Sequence, residues 1–356
     1  MKHLGKLAAG VALALMACGT VNAKQSALEV SLSPTTEKAD AGSGKLRYTI
    51  SNHGTVDLLV LAWETPLRGV EEDLFNVSMD GQPVRYVGRH FKRGLPTAED
   101  YIELRAGESL SVDVDLSAHY DMQAKGFYSA QAIAHFHDSF SVRREDGDEK
   151  LAPTSDHDLS SETVQMWVEG AELPAVSSTY GVFSYEKAGS VSFVGCSNTQ
   201  QSGISGGVTA AKGMSSDSNS YLGANKTGPR YTTWFGAYSS GNYSKIKSNF
   251  AAIGDALNNK PLTFNCNCTS TAYAYVYPTR PYEVFLCKAY WNAPTSGTDS
   301  KGGTTIHELS HFDVVAGTDD LAYGQTACKK LASNAKRAIK NADSHEYFAE
   351  NTPSLN

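Results

Sequence analysis

Beyond its first residues, this 356-residue chain has no stretch approaching 18 consecutive apolar residues. Nothing there should cross a bilayer as a helix. It also lacks any basic cluster interleaved with aromatics, which argues against nucleic-acid binding. Cysteine is sparse and one-sided. Apart from Cys18, it occurs at Cys196, Cys266, Cys268, Cys287 and Cys328, all in the second half. None sits in a CxxC pair, so a second, cysteine-bound metal has no support. In an exported chain such cysteines suggest disulfides. Cys266 and Cys268 are too close to pair comfortably with each other, so each should seek a separate partner.

The N-terminus reads as a targeting segment. Lys2 and Lys6 precede an apolar run over 7–17, too short for a membrane anchor. Small residues at Val21-Asn22-Ala23 offer a cleavage site that leaves Lys24 first. A lipoprotein signal ending at Cys18 is the minor alternative, disfavoured by the bulk of Met16. Simple secretion is expected. The remaining chain is long enough for two domains. Their charges differ: residues 24–187 carry 15 Lys+Arg and 27 Asp+Glu, whereas 188–356 carry 14 and 11. A negative half and a slightly positive half favour docking.

From residue 26 to about 170 apolar and polar residues alternate. Leu28, Val30 and Leu32 form one such set, Leu46, Tyr48 and Ile50 another, and 109–116 a third. Further strands are expected at 56–63, 75–79, 127–137 and 164–168. Turn dipeptides such as Asp80-Gly81 separate them. This pattern predicts an antiparallel β-sandwich. His135 and His137 would share one strand face beside Asp138; a structural role is favoured there over a metal site. A linker is expected over 173–190. In the second half, apolar residues at Ile246, Phe250, Ile253 and Leu257 predict a helix over 240–258. Short strands are expected at 263–264, 272–277 and 283–290, one of them along a cleft edge where an extended peptide could pair. Helices follow at about 325–340 and 344–350.

The densest chemistry lies in His307-Glu308-Leu309-Ser310-His311, followed by Gly317-Thr318-Asp319-Asp320-Leu321-Ala322-Tyr323-Gly324. Two histidines four apart on a helix share a face and can reach one zinc ion. Glu308 beside the first can serve as general base toward water. The helix should start near Thr304 or Thr305, either of which could cap it. A zinc peptidase needs a third ligand. Six residues after His311, where one class of such enzymes carries a histidine, stands Gly317. Glu346 or Glu350 on a later helix is a second possibility. Asp320 is nearer, because Gly317 can end the helix in a left-handed turn and let the chain fold back. Tyr323 would then point its phenol at the same ion.

HExxH followed by GTxDxxYG resembles the deuterolysin and peptidyl-Lys metalloendopeptidase family, the aspzincins. The resemblance covers residues 190–356. It implies that His307, His311 and Asp320 bind one Zn2+, that Glu308 is the base and that Tyr323 assists the transition state. Asp319 is left unassigned. It also implies disulfides Cys196–Cys266 and Cys268–Cys287. Cys328 is left over, as a buried free thiol. Peptidyl-Lys members receive the residue after the scissile bond with an acidic pair, here Asp343 and Glu346. The same Asp-x-x-Glu could instead be a capping box with Asp343 as N-cap.

The expected organisation is therefore a multidomain chain. Residues 1–23 form a signal peptide and 24–172 a β-sandwich prodomain. Residues 173–190 form a linker with processing at Lys187. Residues 191–356 form a mainly α-helical, zincin-like α+β catalytic domain. The expected function is a secreted zinc endopeptidase, inhibited by its own propeptide and cutting proteins or peptides before Lys or Arg. It could act as a nutritional enzyme or as a virulence exotoxin. The alternative is a surface adhesion or binding protein with a permanent β-sandwich and an accessory zinc domain.

Overall fold

The computed structural model describes residues 27–36, 42–136, 138–145, 148–154, 157–170 and 189–356. The expected signal peptide, Cys18, His137, Lys187 and all but the last two linker residues lie outside that set.

The N-terminal region contributes β1 (Leu28–Pro34), β2 (Lys45–Asn52), β3 (Asp57–Leu61), β4 (Phe75–Met79), β5 (Gln82–Pro83), β6 (His90–Lys92) and β7 (Tyr101–Leu104). It continues with β8 (Ser109–Asp115), β9 (Gly126–Phe136), β10 (Phe140–Glu145), β11 (Asp148–Pro153), β12 (His157–Ser160) and β13 (Val164–Val168). Every pairing among these strands is antiparallel. They form sheets ordered β1-β2-β8, β11-β10-β3-β7 and β12-β9-β4-β5, with β13 also on β9. The alternation seen in the sequence becomes burial: Leu28, Val30 and Leu32 point inward from β1, and Leu46, Tyr48 and Ile50 from β2. Phe75, Tyr120, Tyr128 and Phe136 complete this core. His135 pairs with Asp158 at 2.7 Å on an exposed surface.

One N-terminal strand leaves that arrangement. β6 joins the sheet of the C-terminal region, whose order is β14-β15-β17-β16-β6. The C-terminal elements are β14 (Val191–Val194), α1 (Asn198–Gly223), α2 (Pro229–Phe235), α3 (Ser240–Asn259), β15 (Leu262–Asn265), β16 (Ala274–Val276) and β17 (Glu283–Leu286). They continue with α4 (Lys288–Asn292), α5 (Lys301–His311), α6 (Gly324–Leu331), α7 (Ala335–Ala338) and α8 (Ala342–Glu350). β14, β15 and β17 run parallel, and β16 runs antiparallel to β17. The edge strand expected along a cleft is thus β16, and its outer side carries β6.

Three helix expectations need correction. The helix bearing His307 begins earlier, at Lys301, with Ser300 rather than Thr304 or Thr305 as its cap; Ser300 Oγ accepts from the Gly303 amide at 2.9 Å. Gly302 and Gly303 argue against a helix by propensity, but packing requires them. A Cβ on Gly302 would sit 2.9 Å from Ala210 of α1, and one on Gly303 would strike the Glu350 carboxylate. The helix expected over 325–340 is two pieces, because Asn334 caps a new start by accepting from the Arg337 amide. The last helix begins at Ala342 with Asn341 as N-cap, so Asp343 is not a cap. The longest helix, α1, is absent from the expectations altogether. Its sequence is rich in Ser and Gly, and only a narrow stripe including Ile204, Val208, Ala211 and Leu222 is buried.

Disulfides join Cys196 to Cys266 and Cys268 to Cys287, and Cys328 is a buried free thiol. The first closes 70 residues and the second 19. Chain entropy then predicts a larger loss on replacing Cys196 and Cys266 by Ser, about 4 kcal/mol, than on replacing Cys268 and Cys287, about 3 kcal/mol. Denaturant unfolding of the two double variants should show that order; the reverse order would mean that native-state packing outweighs loop closure.

Candidate functional site

α5 carries His307, Glu308 and His311 into the centre of the molecule, where all three are fully buried. The Ser300 cap is itself anchored. Its amide and hydroxyl both donate to Glu350 Oε1 at 2.8 Å, so α8 holds the start of α5. After His311 the chain turns at Gly317, whose φ of 57° is the left-handed conformation expected there. The Asp319 backbone then pairs with the chain entering α8, accepting from the Ala342 amide and donating to the Lys340 carbonyl. Asn341 Oδ1 accepts from the amides of Leu321 and Ala322 at 2.9 and 3.0 Å. These clamps turn Asp320 inward. Asn341 has no signature in the local sequence pattern.

The result is a compact set of donors. Asp320 Oδ1 lies 3.1 Å from His307 Nε2 and 3.4 Å from His311 Nε2. Two donors in a zinc tetrahedron are about 3.3 Å apart, given bonds of about 2.0–2.1 Å. The other ring nitrogens lie beside acceptors. His311 Nδ1 is 2.8 Å from the Thr318 carbonyl, which can only accept, so Nδ1 must carry the proton. His307 Nδ1 is 2.8 Å from Asp343 Oδ1. The His311 Nε2 lone pair therefore faces Asp320, and His307 Nε2 lies closer still to the same oxygen. Both Nε2 atoms, both Asp320 oxygens, both Glu308 oxygens and the Tyr323 hydroxyl are buried without a hydrogen-bond partner among the described residues. Such a concentration of orphaned polar atoms is costly unless a cation completes it. The donor set of two imidazoles and a carboxylate suits zinc.

Electrostatics follow this geometry. Burial opposes the charge on Asp320, yet His311 and His307 hold its carboxyl well below the usual range. Burial pushes Glu308 up to about 7, against the pull of His307 and His311. Burial also raises the Tyr323 phenol, with Asp320 adding to the effect. Glu350, offered by the sequence as a ligand, is occupied by Ser300 and by the Asp299 amide at 3.1 Å. Glu346 meets His307 at Nδ1, at 3.3 Å, away from the Nε2 cluster.

Asp343 and Glu346 do converge, and what they receive comes from the N-terminal region. Lys92 Nζ is 2.8 Å from Glu346 Oε2, 3.7 Å from Asp343 Oδ1 and 3.3 Å from Asp299 Oδ1. Its side chain is 0 % exposed. Asp299, missed by the sequence reading, is held by a 2.7 Å bond from the Tyr347 hydroxyl. Burial works against the Lys92 ammonium, but Asp343, Glu346 and Asp299 together raise its pKa well above the usual lysine value. Burial also opposes charge on Asp343, which Lys92 and His307 nevertheless hold low. Asp343 thus faces both ways: it orients His307 and lines the cation pocket. Its Oδ2 additionally accepts from the Gly324 amide at 2.7 Å. β6 brings Lys92 there by pairing Lys92, Phe91 and His90 with Ala274, Tyr275 and Val276 of β16. The Lys92 carbonyl accepts from the Tyr273 amide at 2.9 Å. Phe91 turns the other way, against Tyr275. Further ties between the regions are Arg85 to Asp313 and Thr271 to Asp100. Lys92 was not legible as a site residue, since its partners lie more than 200 positions away.

Comparison with known proteins supplies independent findings. A family profile described as lysine-specific metallo-endopeptidase, aspzincin, matches residues 221–350. The chain is 44 % identical to an extracellular protease of Aeromonas hydrophila over 317 residues, covering 88 % of this chain and 89 % of that one. It is 33 % identical to a peptidyl-Lys metalloendopeptidase of Grifola frondosa, with 87 % and 88 % covered. A peptidyl-Lys metalloendopeptidase of Pleurotus ostreatus is 47 % identical over 166 residues, which are 46 % of this chain but 98 % of that protein. Among the described residues no helix is long and apolar enough to cross a membrane.

Removing the Lys92 charge would leave three carboxylates clustered without their cation. Lys92→Met is expected to cost about 3–5 kcal/mol, as breaking a buried ion pair does. The cost should fall first on the attachment of β6. Amide exchange at Tyr273 and Tyr275 in the full-length chain is the readout. Unchanged protection there would show that the ion pairs do not hold the strand.

Proposed function

Since the chain belongs to the aspzincin family of metalloendopeptidases, we propose that it is a secreted, zinc-dependent endopeptidase made as an inhibited proenzyme and cutting on the N-terminal side of lysine. The observation that carries this reading is Lys92 in the buried pocket of Glu346, Asp343 and Asp299. A substrate lysine would meet the same three carboxylates. Residues 24–172 would be the propeptide, 173–190 the linker cut near Lys187, and 191–356 the enzyme. The Pleurotus ostreatus relative, matched almost whole by under half of this chain, supports a catalytic unit of that size.

His307, His311 and Asp320 would hold the metal. When bound, zinc supplies Lewis acidity, acidifying water and polarising a carbonyl. The Thr318 carbonyl and the Asp343 carboxylate fix the two rings so that Nε2 points inward, the usual second-layer support of a metal-binding histidine. Glu308, with a pKa near 7 and no competing partner, would take the proton from the attacking water. The oxygen adds to the peptide carbonyl carbon, and the Tyr323 hydroxyl donates to the carbonyl oxygen as charge develops there. Glu308 then returns the proton to the nitrogen, the C–N bond breaks, and the amine leaves neutral. β16 would align the substrate backbone as it now aligns β6, and the carboxylate pocket would hold the lysine after the cut bond.

Glu308→Gln should retain zinc, since Glu308 is not among the ligands, and should lose proteolysis by about 100- to 10,000-fold. Metal analysis alongside a peptide assay checks both; a variant that keeps most of its rate would refute the assignment of the base. Digestion of a peptide library, followed by sequencing of the new N-termini, tests the specificity. Lysine should lead them, and Glu346→Gln should erode that preference. Indifference to charge after the cut would leave a metalloendopeptidase without the proposed lysine pocket.

A further inference from the structure

Successive side chains on a strand alternate in direction, so His90 and Lys92 share a face of β6. With Lys92 seated in the carboxylate pocket, His90 is delivered to the donor cluster. Its Nδ1 lies 4.0 Å from Asp320 Oδ2, and its side chain is only 13 % exposed. Its ring centroid is 4.8 Å from that of His311. Donor atoms of His90, His311 and Asp320 all fall within 4.8 Å of one another. The His90 ring makes no hydrogen bond among the described residues; besides His311 it packs beside Tyr86, at a centroid distance of 5.6 Å. Three sides of a tetrahedral site are supplied by His307, His311 and Asp320, and a working zinc hydrolase keeps the fourth for water.

We propose that in the full-length chain His90 is that fourth ligand, excluding the water needed for hydrolysis, and that it leaves with the N-terminal region on activation. This rests on the zinc reading above. It assigns one three-residue strand two separate blocks: Lys92 fills the specificity pocket and His90 closes the metal. The 4.0 Å separation needs only a small ring movement to approach the roughly 3.3 Å between donors around zinc. β6 can make it without losing register, because Phe91 and the Lys92 carbonyl hold the strand to β16 from the opposite face and the far end.

The test uses full-length Glu308→Gln protein, to avoid self-digestion, loaded with zinc for X-ray absorption and with cobalt(II) for visible spectra. Three imidazoles per metal are expected. His90→Phe, or His90→Gln should the first fold poorly, should show two imidazoles and a cobalt band shifted by entry of water. Zinc transfer to a chelator should speed up by at least about tenfold, since even an outer supporting partner of a ligand is worth that much. Asp320→Ala separates the two readings. If Asp320→Ala loses the metal while wild type shows two imidazoles and His90→Phe changes nothing, the zinc site stands and the His90 proposal falls. If Asp320→Ala combined with His90→Phe still binds zinc as wild type does, the zinc site itself is misplaced and both readings fall.

Discussion

The ammonium of Lys92 among Glu346, Asp343 and Asp299 is the interaction on which the rest of the structure turns. Four ionisable groups share one pocket, and three of them, Lys92, Asp343 and Glu346, are almost completely removed from water. A buried carboxylate pair without a cation is expensive, and so is a buried ammonium without anions. Each therefore requires the other. Burial raises Glu346 even beside Lys92, whereas Asp343, with His307 also against it, stays low. The pocket is a standing demand for one positive charge. In the full-length chain the N-terminal region meets that demand.

The same residues tie this pocket to the helix of the HExxH motif. α8 supplies Asp343 to the pocket and to His307, Glu346 to the pocket, and Glu350 to the cap of α5. Gly303 exists in that helix because Glu350 and Glu346 pass so close that a side chain would collide with both. A change in α8 is thus transmitted to the start of α5 and to the imidazole of its first histidine. The carboxylate pocket and the His307 imidazole are thus tied together by one short acidic helix. His345, between them in sequence, faces away: its ring meets Asn249 at 2.9 Å in the apolar core beside Phe250.

Local chemistry was legible in the sequence where one segment carries it whole. His307, Glu308, His311, Asp320 and Tyr323 fall within 17 residues and meet through one helix and one turn. Strands β1, β2 and β8 announced themselves by alternation because one of their faces is buried and the other wet. α1 did not, because Gly207 serves close approach to α5, several of its serines bond their own helix's carbonyls, and small residues carry no periodic signal. The early start of α5 failed for the same reason at Gly302 and Gly303. Yet Ser197 and Gln200, at the spacing of a capping box, did mark the beginning of α1. Lys92, His90 and Asp299 could not be read locally at all. Their roles arise from pairing β6 with β16 across some 180 residues of chain, and no neighbour in sequence hints at it.

That pairing also bears on how such a block could be released. β6 engages β16 through only three residue pairs. Outside the pocket, ties between the regions among the described residues include Arg85 with Asp313, Thr271 with Asp100, and Arg89 and Phe91 against Tyr275. Any such contacts between free molecules must first offset lost translational and rotational freedom. Joined through one chain, the two parts see each other at an effective concentration of order millimolar. Cutting the proposed linker would remove that effective concentration. Dilution after secretion would then favour departure of β6, and any lysine-bearing peptide would compete for the same three carboxylates. A strand this short, in the blocking role proposed for β6, would be both firm before the cut and dispensable after it.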